Sequence, residues 1–68
     1  MKIKAKTEAF IRARVWRGLT QRDLARLSGL SHSYISLLER SLKPVGPSTA
    51  KRLSDILEKP VDELFRLE

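Results

Sequence analysis

His32 is the sole histidine of this 68-residue chain, and the chain contains no cysteine. No segment has the form G-x-x-x-x-G-K-S/T that would cradle a phosphate, and no paired carboxylates suggest a catalytic pocket. Hydrolytic, redox and metal chemistry need convergent partners that His32 lacks, so the sequence argues against an enzyme and calls for no cofactor and no metal. What the residues around His32 can do is recognise. Ser33 and Ser36 offer hydroxyls that donate or accept, Leu37 offers an apolar surface, and Arg40 and Lys43 follow as cations. At about 100° per residue on a helix, His32, Ser33, Ser36, Leu37 and Arg40 share one side, while Ser31, Ile35 and Leu38 share the other. Ring nitrogens and hydroxyls can meet base edges, and a leucine can meet a thymine methyl. Each also has a plainer role: His32 as a solvated helix residue, Ser33 as part of a capping turn, Leu37 as a stray surface leucine. Tyr34 lies at the edge of this side, where its ring packs and its hydroxyl is free for a phosphate or water.

Charge favours a polyanion as partner. Lys and Arg number 14 against eight Asp and Glu, giving a net charge of +6 and a pI near 10.3. The excess is uneven: residues 1–18 carry a local +5, residues 19–50 carry +2, and residues 51–68 carry −1. A field with one positive end suits nucleic acid approached from a defined side. A basic, well-solvated domain without such a partner is the alternative. Lys2, Lys4 and Lys6 mark residues 1–6 as a basic N-terminal arm, which either reaches a groove or is a solvated tail. With no apolar run behind them they are no signal peptide, and no stretch approaches the ~18 apolar residues of a membrane span. The lack of cysteine fits a reducing cytoplasm.

The elements that must position these residues are short helices. One domain is expected, over residues 7–68, all-α, a compact bundle of five helices with no strand. The first helix spans Thr7 to Arg17, with Thr7 as N-cap, Gly18 as stop, Phe10 and Ala13 on its apolar side and Ile11 as a further candidate there. Trp16 has no evident role; core packing is the expectation, a partner contact the alternative. The second helix opens at Thr20, where Thr20 and Asp23 have capping-box spacing, and closes at Ser28-Gly29. Ser31 caps the third, which continues to Arg40. Leu42 to Pro47 is interrupted by proline and glycine. A fourth helix covers Ser48–Leu57, and Pro60 presets a fifth over Val61–Arg66, with Asp62 and Glu63 suited to its N-terminus. Within this series, Gly29 permits a sharp turn at positive φ, and Leu30 plugs the corner. Ala25 lets two helices cross closely at about 90–120°.

The run LTQRDLARLSGLSHSYISLLER, Leu19 to Arg40, resembles the Cro/C1-type helix-turn-helix of phage repressors and bacterial regulators. GPSTAKRLSDILEKPVDELF, Gly46 to Phe65, is similar to that family's last two helices. One departure is Glu58-Lys59-Pro60, where Gly-Val-Ser is frequent, which leaves the end of the fourth helix open. The resemblance implies a sequence-specific, double-stranded DNA-binding transcriptional regulator. The implied type is a small repressor of Cro or immunity-repressor kind that occupies an operator, in the cytoplasm of a bacterial or phage-infected cell. It implies that His32, Ser33, Ser36 and Leu37 read bases, and that Gln21, Arg22, Tyr34, Arg40 and Lys43 contact the DNA backbone or brace the reading helix, Gln21 by touching phosphate and His32. Arg14 and Glu39 are implied to form a buried ion pair, and two copies of the chain to meet, at least on DNA. The rival class is a protein-interaction module on the same fold, such as an antitoxin.

Overall fold

The computed structural model describes residues 1–68. Its elements, in chain order, are β1 (Ile3–Ala5), α1 (Thr7–Trp16), α2 (Gln21–Ser28), α3 (His32–Glu39), α4 (Pro47–Leu57), α5 (Val61–Leu64) and β2 (Phe65–Leu67). The five-helix, all-α bundle expected from the periodicity forms, and a two-stranded ribbon is added to it.

Local chemistry explains most boundaries. At α2, the Thr20 hydroxyl accepts from Asp23 N–H at 3.0 Å and the Asp23 carboxylate accepts from Thr20 N–H at 3.0 Å, a complete capping box. Gly29 then takes φ +77°, so its N–H reaches back to Ala25 and the chain turns within three residues into α3. Ser31 caps α3 by accepting from Tyr34 N–H at 3.1 Å. Pro47 occupies the first turn of α4, where its missing N–H costs nothing. The open question at Glu58 resolves itself: α4 ends at Leu57, and Glu58, with φ +57°, adopts the left-handed conformation that glycine usually supplies. The Ser54 hydroxyl, donated to the Lys59 carbonyl, holds that turn closed.

The core is built from one stripe of each helix. Phe10, Leu24, Ile35, Leu38, Leu53, Leu57 and Leu64 are fully buried, with Ala13, Ala25 and Ala50 where elements approach closely. Phe10 and Phe65 meet edge to face at 5.8 Å, joining α1 to the C-terminal strand.

Four expectations are corrected. Residues 1–6 are not a separate arm: Ile3–Ala5 pairs antiparallel with Phe65–Leu67, Ile3 opposite Leu67 and Ala5 opposite Phe65, and Ala5 is completely buried. Three-residue strands alternate too briefly to register as a period, and their pairing spans nearly the whole chain. The fifth helix stops at Leu64 rather than Arg66, because Phe65 turns to extended backbone (φ −133°, ψ 158°) and enters β2. Thr7 is the first residue of α1 and not its cap; Lys6 precedes the helix without a side-chain cap, and the Thr7 hydroxyl bonds that of Ser41 at 3.2 Å. Trp16, the last residue of α1, does not pack in the core with Phe10 and Ala13 but is 82% exposed.

Candidate nucleic-acid interface

The helix-turn-helix places its candidate reading residues by burying the opposite side of α3. Ile35 and Leu38 are wholly inside, and Leu30 is half-buried at the corner of the turn. Ala25, 6% exposed, gives α3 room to cross α2. With that side fixed, His32 and Ser33 project from the N-terminal end of α3 and are exposed. Ser36 and Leu37, one turn on, are half-buried rather than fully outward. Arg40 is exposed and its guanidinium donates to the Ser36 carbonyl at 3.3 Å, which folds it back along α3.

Alongside His32 an open depression of about 590 Å³ runs to the N-terminal end of α2, where Thr20, Gln21 and Arg22 form its wall. Arg22 is exposed there. The depression therefore joins the start of α2 to the start of α3.

Beneath this surface lies a polar cluster. Arg14 Nε donates to Glu39 Oε1 at 2.7 Å, with side-chain exposures of 13% and 4%. Arg14 also donates to the Leu19 carbonyl at 2.9 Å, which fixes the α1–α2 connection to the same cluster. The second carboxylate oxygen, Oε2, accepts from Gln21 Nε2 at 2.6 Å. Here the geometry departs from the expectation that Gln21 braces His32. A buried carboxylate requires donors on both oxygens, Arg14 supplies only one side, and Gln21 is the donor within reach of the other. Gln21 consequently ties α2 to the end of α3, and its amide oxygen is left as an acceptor.

Tyr34 is likewise redirected. Its hydroxyl donates to the Pro44 carbonyl at 2.8 Å, and not to solvent or phosphate, because the loop after α3 folds back against the ring. Partial burial pushes its phenol above the ordinary range. The contact staples α3 to the loop that carries exposed Lys43. Asp23, by contrast, is held below the usual carboxylate range, first by the Thr20 backbone N–H and its hydroxyl, then by Arg26 at 3.2 Å.

Sequence reasoning missed one further brace. Arg52, on α4, donates to the Ser28 carbonyl at 3.1 Å and so anchors the C-terminal end of α2. An arginine on an exposed helix position carries no signal for this, since its partner is a backbone atom on another element. No three His, Cys, Asp or Glu side chains come together as a metal site.

A capped helix, a glycine turn and a second helix with one side exposed define a DNA-binding helix-turn-helix domain. Residues 11–64 match the Helix-turn-helix family, and the chain belongs to it. It is thus a DNA-binding regulator of transcription. Among solved structures it is similar to the restriction-modification controller protein C.AhdI from Aeromonas hydrophila, at 32% identity and a TM-score of 0.75, over 84% of this chain and 86% of that one. It is also similar to the hypothetical transcription factor NHTF from Neisseria, at 27% identity and TM-score 0.73, over 81% of this chain and 63% of NHTF. The fold is shared with the transcriptional regulator VanUg, at 12% identity and TM-score 0.72, over 97% of this chain and 87% of VanUg. No curated protein sequence matches the chain.

Proposed function

We propose that this chain regulates transcription by occupying a specific duplex operator, with the N-terminal half of α3 in the major groove. The observation that carries the reading is the exposure of His32 and Ser33 at the start of α3, beside Arg22 at the start of α2, while Ile35 and Leu38 fix the helix from behind. In this reading His32, Ser33, Ser36 and Leu37 meet base edges. Arg22, Arg40 and Lys43 meet phosphates, and the Gln21 amide oxygen accepts from a neighbouring donor or water while Glu39 holds its nitrogen. Tyr34 acts as a brace that sets the loop bearing Lys43. The protein works in the cytoplasm, as a small repressor of Cro or immunity-repressor type, and two copies occupy the halves of a palindromic site.

A second reading concerns which genes are controlled. The 32% identity to a restriction-modification controller over most of both chains favours a regulator of a neighbouring restriction-modification operon over a phage switch.

Selection of bound sequences from a random duplex pool tests the proposal. Enrichment of one short motif, repeated with two-fold symmetry, is the expected result. A pool that stays random after several rounds, with binding that does not discriminate, overturns sequence-specific regulation.

A further inference from the structure

Two features that the sequence singles out, and that recognition of DNA leaves unused, meet at one place: Trp16 and the run Glu58-Lys59-Pro60. Between α1 and the connection from α4 to α5 lies a cavity of about 270 Å³. Buried Ala13 and Leu64 form its apolar floor, and the exposed indole of Trp16 forms one wall. Arg12, four positions before Trp16 on the same stripe of α1, lines it with them. Lys59 and Glu63 line it from beyond α4. None of these three charged side chains forms an ion pair. The position of Lys59 is fixed by its backbone. Left-handed Glu58, at φ +57°, turns the chain out of α4. Lys59 N–H then donates to the Ser54 carbonyl at 3.2 Å, and the Lys59 carbonyl accepts the Ser54 hydroxyl. Arg17 ties the end of α1 to the end of α4, its Nε donating to the Ile56 carbonyl at 3.2 Å. The fold itself thus holds Trp16 and Lys59 around one cavity.

We propose that this cavity is a binding site for a small aromatic carboxylate. Its volume falls just below the ~300–1,000 Å³ of sites for drug-sized molecules, so it admits one small ring system. An indole wall beside an apolar floor favours a planar ring, which packs offset or edge-on against Trp16. Arg12 and Lys59 supply the donors that a carboxylate accepts as charge-assisted hydrogen bonds. Glu63 sets the charge of the ligand. Two cations and one anion leave a single positive charge at the rim, which a monoanion balances. A phosphate monoester, at about −1.5 to −2, would overfill that charge and meet the Glu63 carboxylate in repulsion. Arg14, about 200° around α1 from Arg12, lines instead the depression beside His32. The cavity and the candidate DNA surface therefore lie on different sides of α1, and binding here is independent of the proposed function.

Trp16 is the sole tryptophan, so the NMR spectrum of nitrogen-labelled protein carries one indole N–H signal, sited at the cavity wall. Phenylacetate should shift that signal saturably, with half-saturation below about 10 mM. Phenylethanol keeps the ring without the charge, and acetate keeps the charge without the ring. Each should bind at least about tenfold more weakly than phenylacetate. Arg12→Met and Lys59→Met should each weaken phenylacetate about tenfold. Lys51→Met removes the same charge from an exposed position on α4, outside the cavity, and should leave affinity unchanged. Thermal melts show that each variant is folded. The proposal is overturned by the absence of a saturable shift up to that concentration, or by equal affinity for phenylethanol or acetate. It is overturned equally by folded Arg12→Met and Lys59→Met that both bind as the parent does, or by an equal loss in Lys51→Met.

Discussion

Gln21 and Glu39, 18 positions apart in sequence, are joined by a 2.6 Å hydrogen bond from the glutamine amide to a carboxylate that is 3% exposed. Arg14 closes the other side of the same carboxylate. One buried charge thereby ties α1, the start of α2 and the end of α3 into a fixed arrangement, directly under the exposed starts of α2 and α3. The starts of α2 and α3 are positioned by an ion pair whose carboxylate is buried and whose arginine lines the depression between them.

Glu39→Ala should therefore be costly. Removing one partner of a buried pair strands the other charge and typically costs about 3–5 kcal/mol, against about 5–15 kcal/mol for a whole domain. Differential scanning calorimetry should show a large fall in Tm, and Gln21→Ala a smaller one of about 1–2 kcal/mol, since it leaves one carboxylate oxygen without its donor. A Glu39→Ala melt within a degree or two of the parent would mean that the cluster contributes nothing to stability.

The capping box of α2 predicts a pH dependence. Asp23 is held below its ordinary value of 3.8, chiefly by the Thr20 N–H. A carboxyl depressed in the folded state contributes stability that is fully present above the unfolded value and is lost as pH falls through the folded one. Melting temperature should thus drop between about pH 4 and more acidic conditions, with a smaller drop in Asp23→Asn. Glu68, lowered by its bond to Arg66 and by Lys4, adds to the same acid loss through β2, so Asp23→Asn should reduce the acid sensitivity and not abolish it. Equal acid sensitivity in Asp23→Asn and the parent would show that the box does not control it.

Glu58 offers a stabilising change. Its left-handed backbone, φ +57°, penalises any side chain with a Cβ by roughly 1–2 kcal/mol, part of which glycine returns as greater freedom when unfolded. The salt bridge that would be lost, Arg17 to Glu58 at 3.7 Å, is exposed and contributes little. Glu58→Gly should gain about 0.5–1 kcal/mol, or a few degrees in Tm for a domain of this size. A lower Tm would show that Glu58 is held by something other than its backbone.

How far the sequence disclosed this molecule depended on the range of each interaction. Thr20 with Asp23, Ser31 with Tyr34, and Gly29 are signals within four residues, and the helices they bound lie where spacing puts them. Phe10, Leu24, Ile35 and Leu38 were legible because a helix repeats its inner side often enough to be read. Ile3–Ala5 against Phe65–Leu67 was not, since three residues make no period and the partner is at the far end of the chain. Trp16 misled because hydrophobicity alone places a side chain inside, whereas its angular position on α1 places it outside. At the candidate site, His32 and Ser33 stand exposed on the side of α3 that helical spacing gives them, and Arg22 and Lys43, which spacing does not place, are exposed as well. The partners of Gln21 and Tyr34 depended on which donor or acceptor the tertiary fold brought nearest, and no local pattern encodes that.

Affinity for duplex DNA should fall steeply with salt. Each neutralised phosphate contributes a slope of about −0.9 in log K against log salt, and Arg22, Arg40 and Lys43 supply roughly three contacts per copy if all reach the backbone. Fluorescence anisotropy on an unselected duplex at increasing salt measures this. Binding that is flat from low to physiological salt would remove the phosphate contacts from the mechanism.

Base reading and backbone contact can be told apart on one panel of single-base operator variants. His32 stands at the start of α3 and Leu37 one turn on, where side chains meet base edges in this reading, whereas exposed Lys43 sits in the loop that Tyr34 staples to Pro44. Losing a base contact typically costs about 1–3 kcal/mol and relaxes preference at one position, while losing a phosphate contact weakens every sequence alike and lowers the salt slope by about one. His32→Ala and Leu37→Ala should each change preference at particular base pairs, Leu37→Ala at a thymine. Half-burial of Leu37 makes its effect the smaller of the two, since part of its surface is already covered by protein. Lys43→Ala should leave the pattern of preference intact and reduce affinity for operator and unrelated duplex together. If His32→Ala and Leu37→Ala both keep the parent's preference at every position, the exposed side of α3 does not read bases, and recognition must be sought in DNA shape or on another surface.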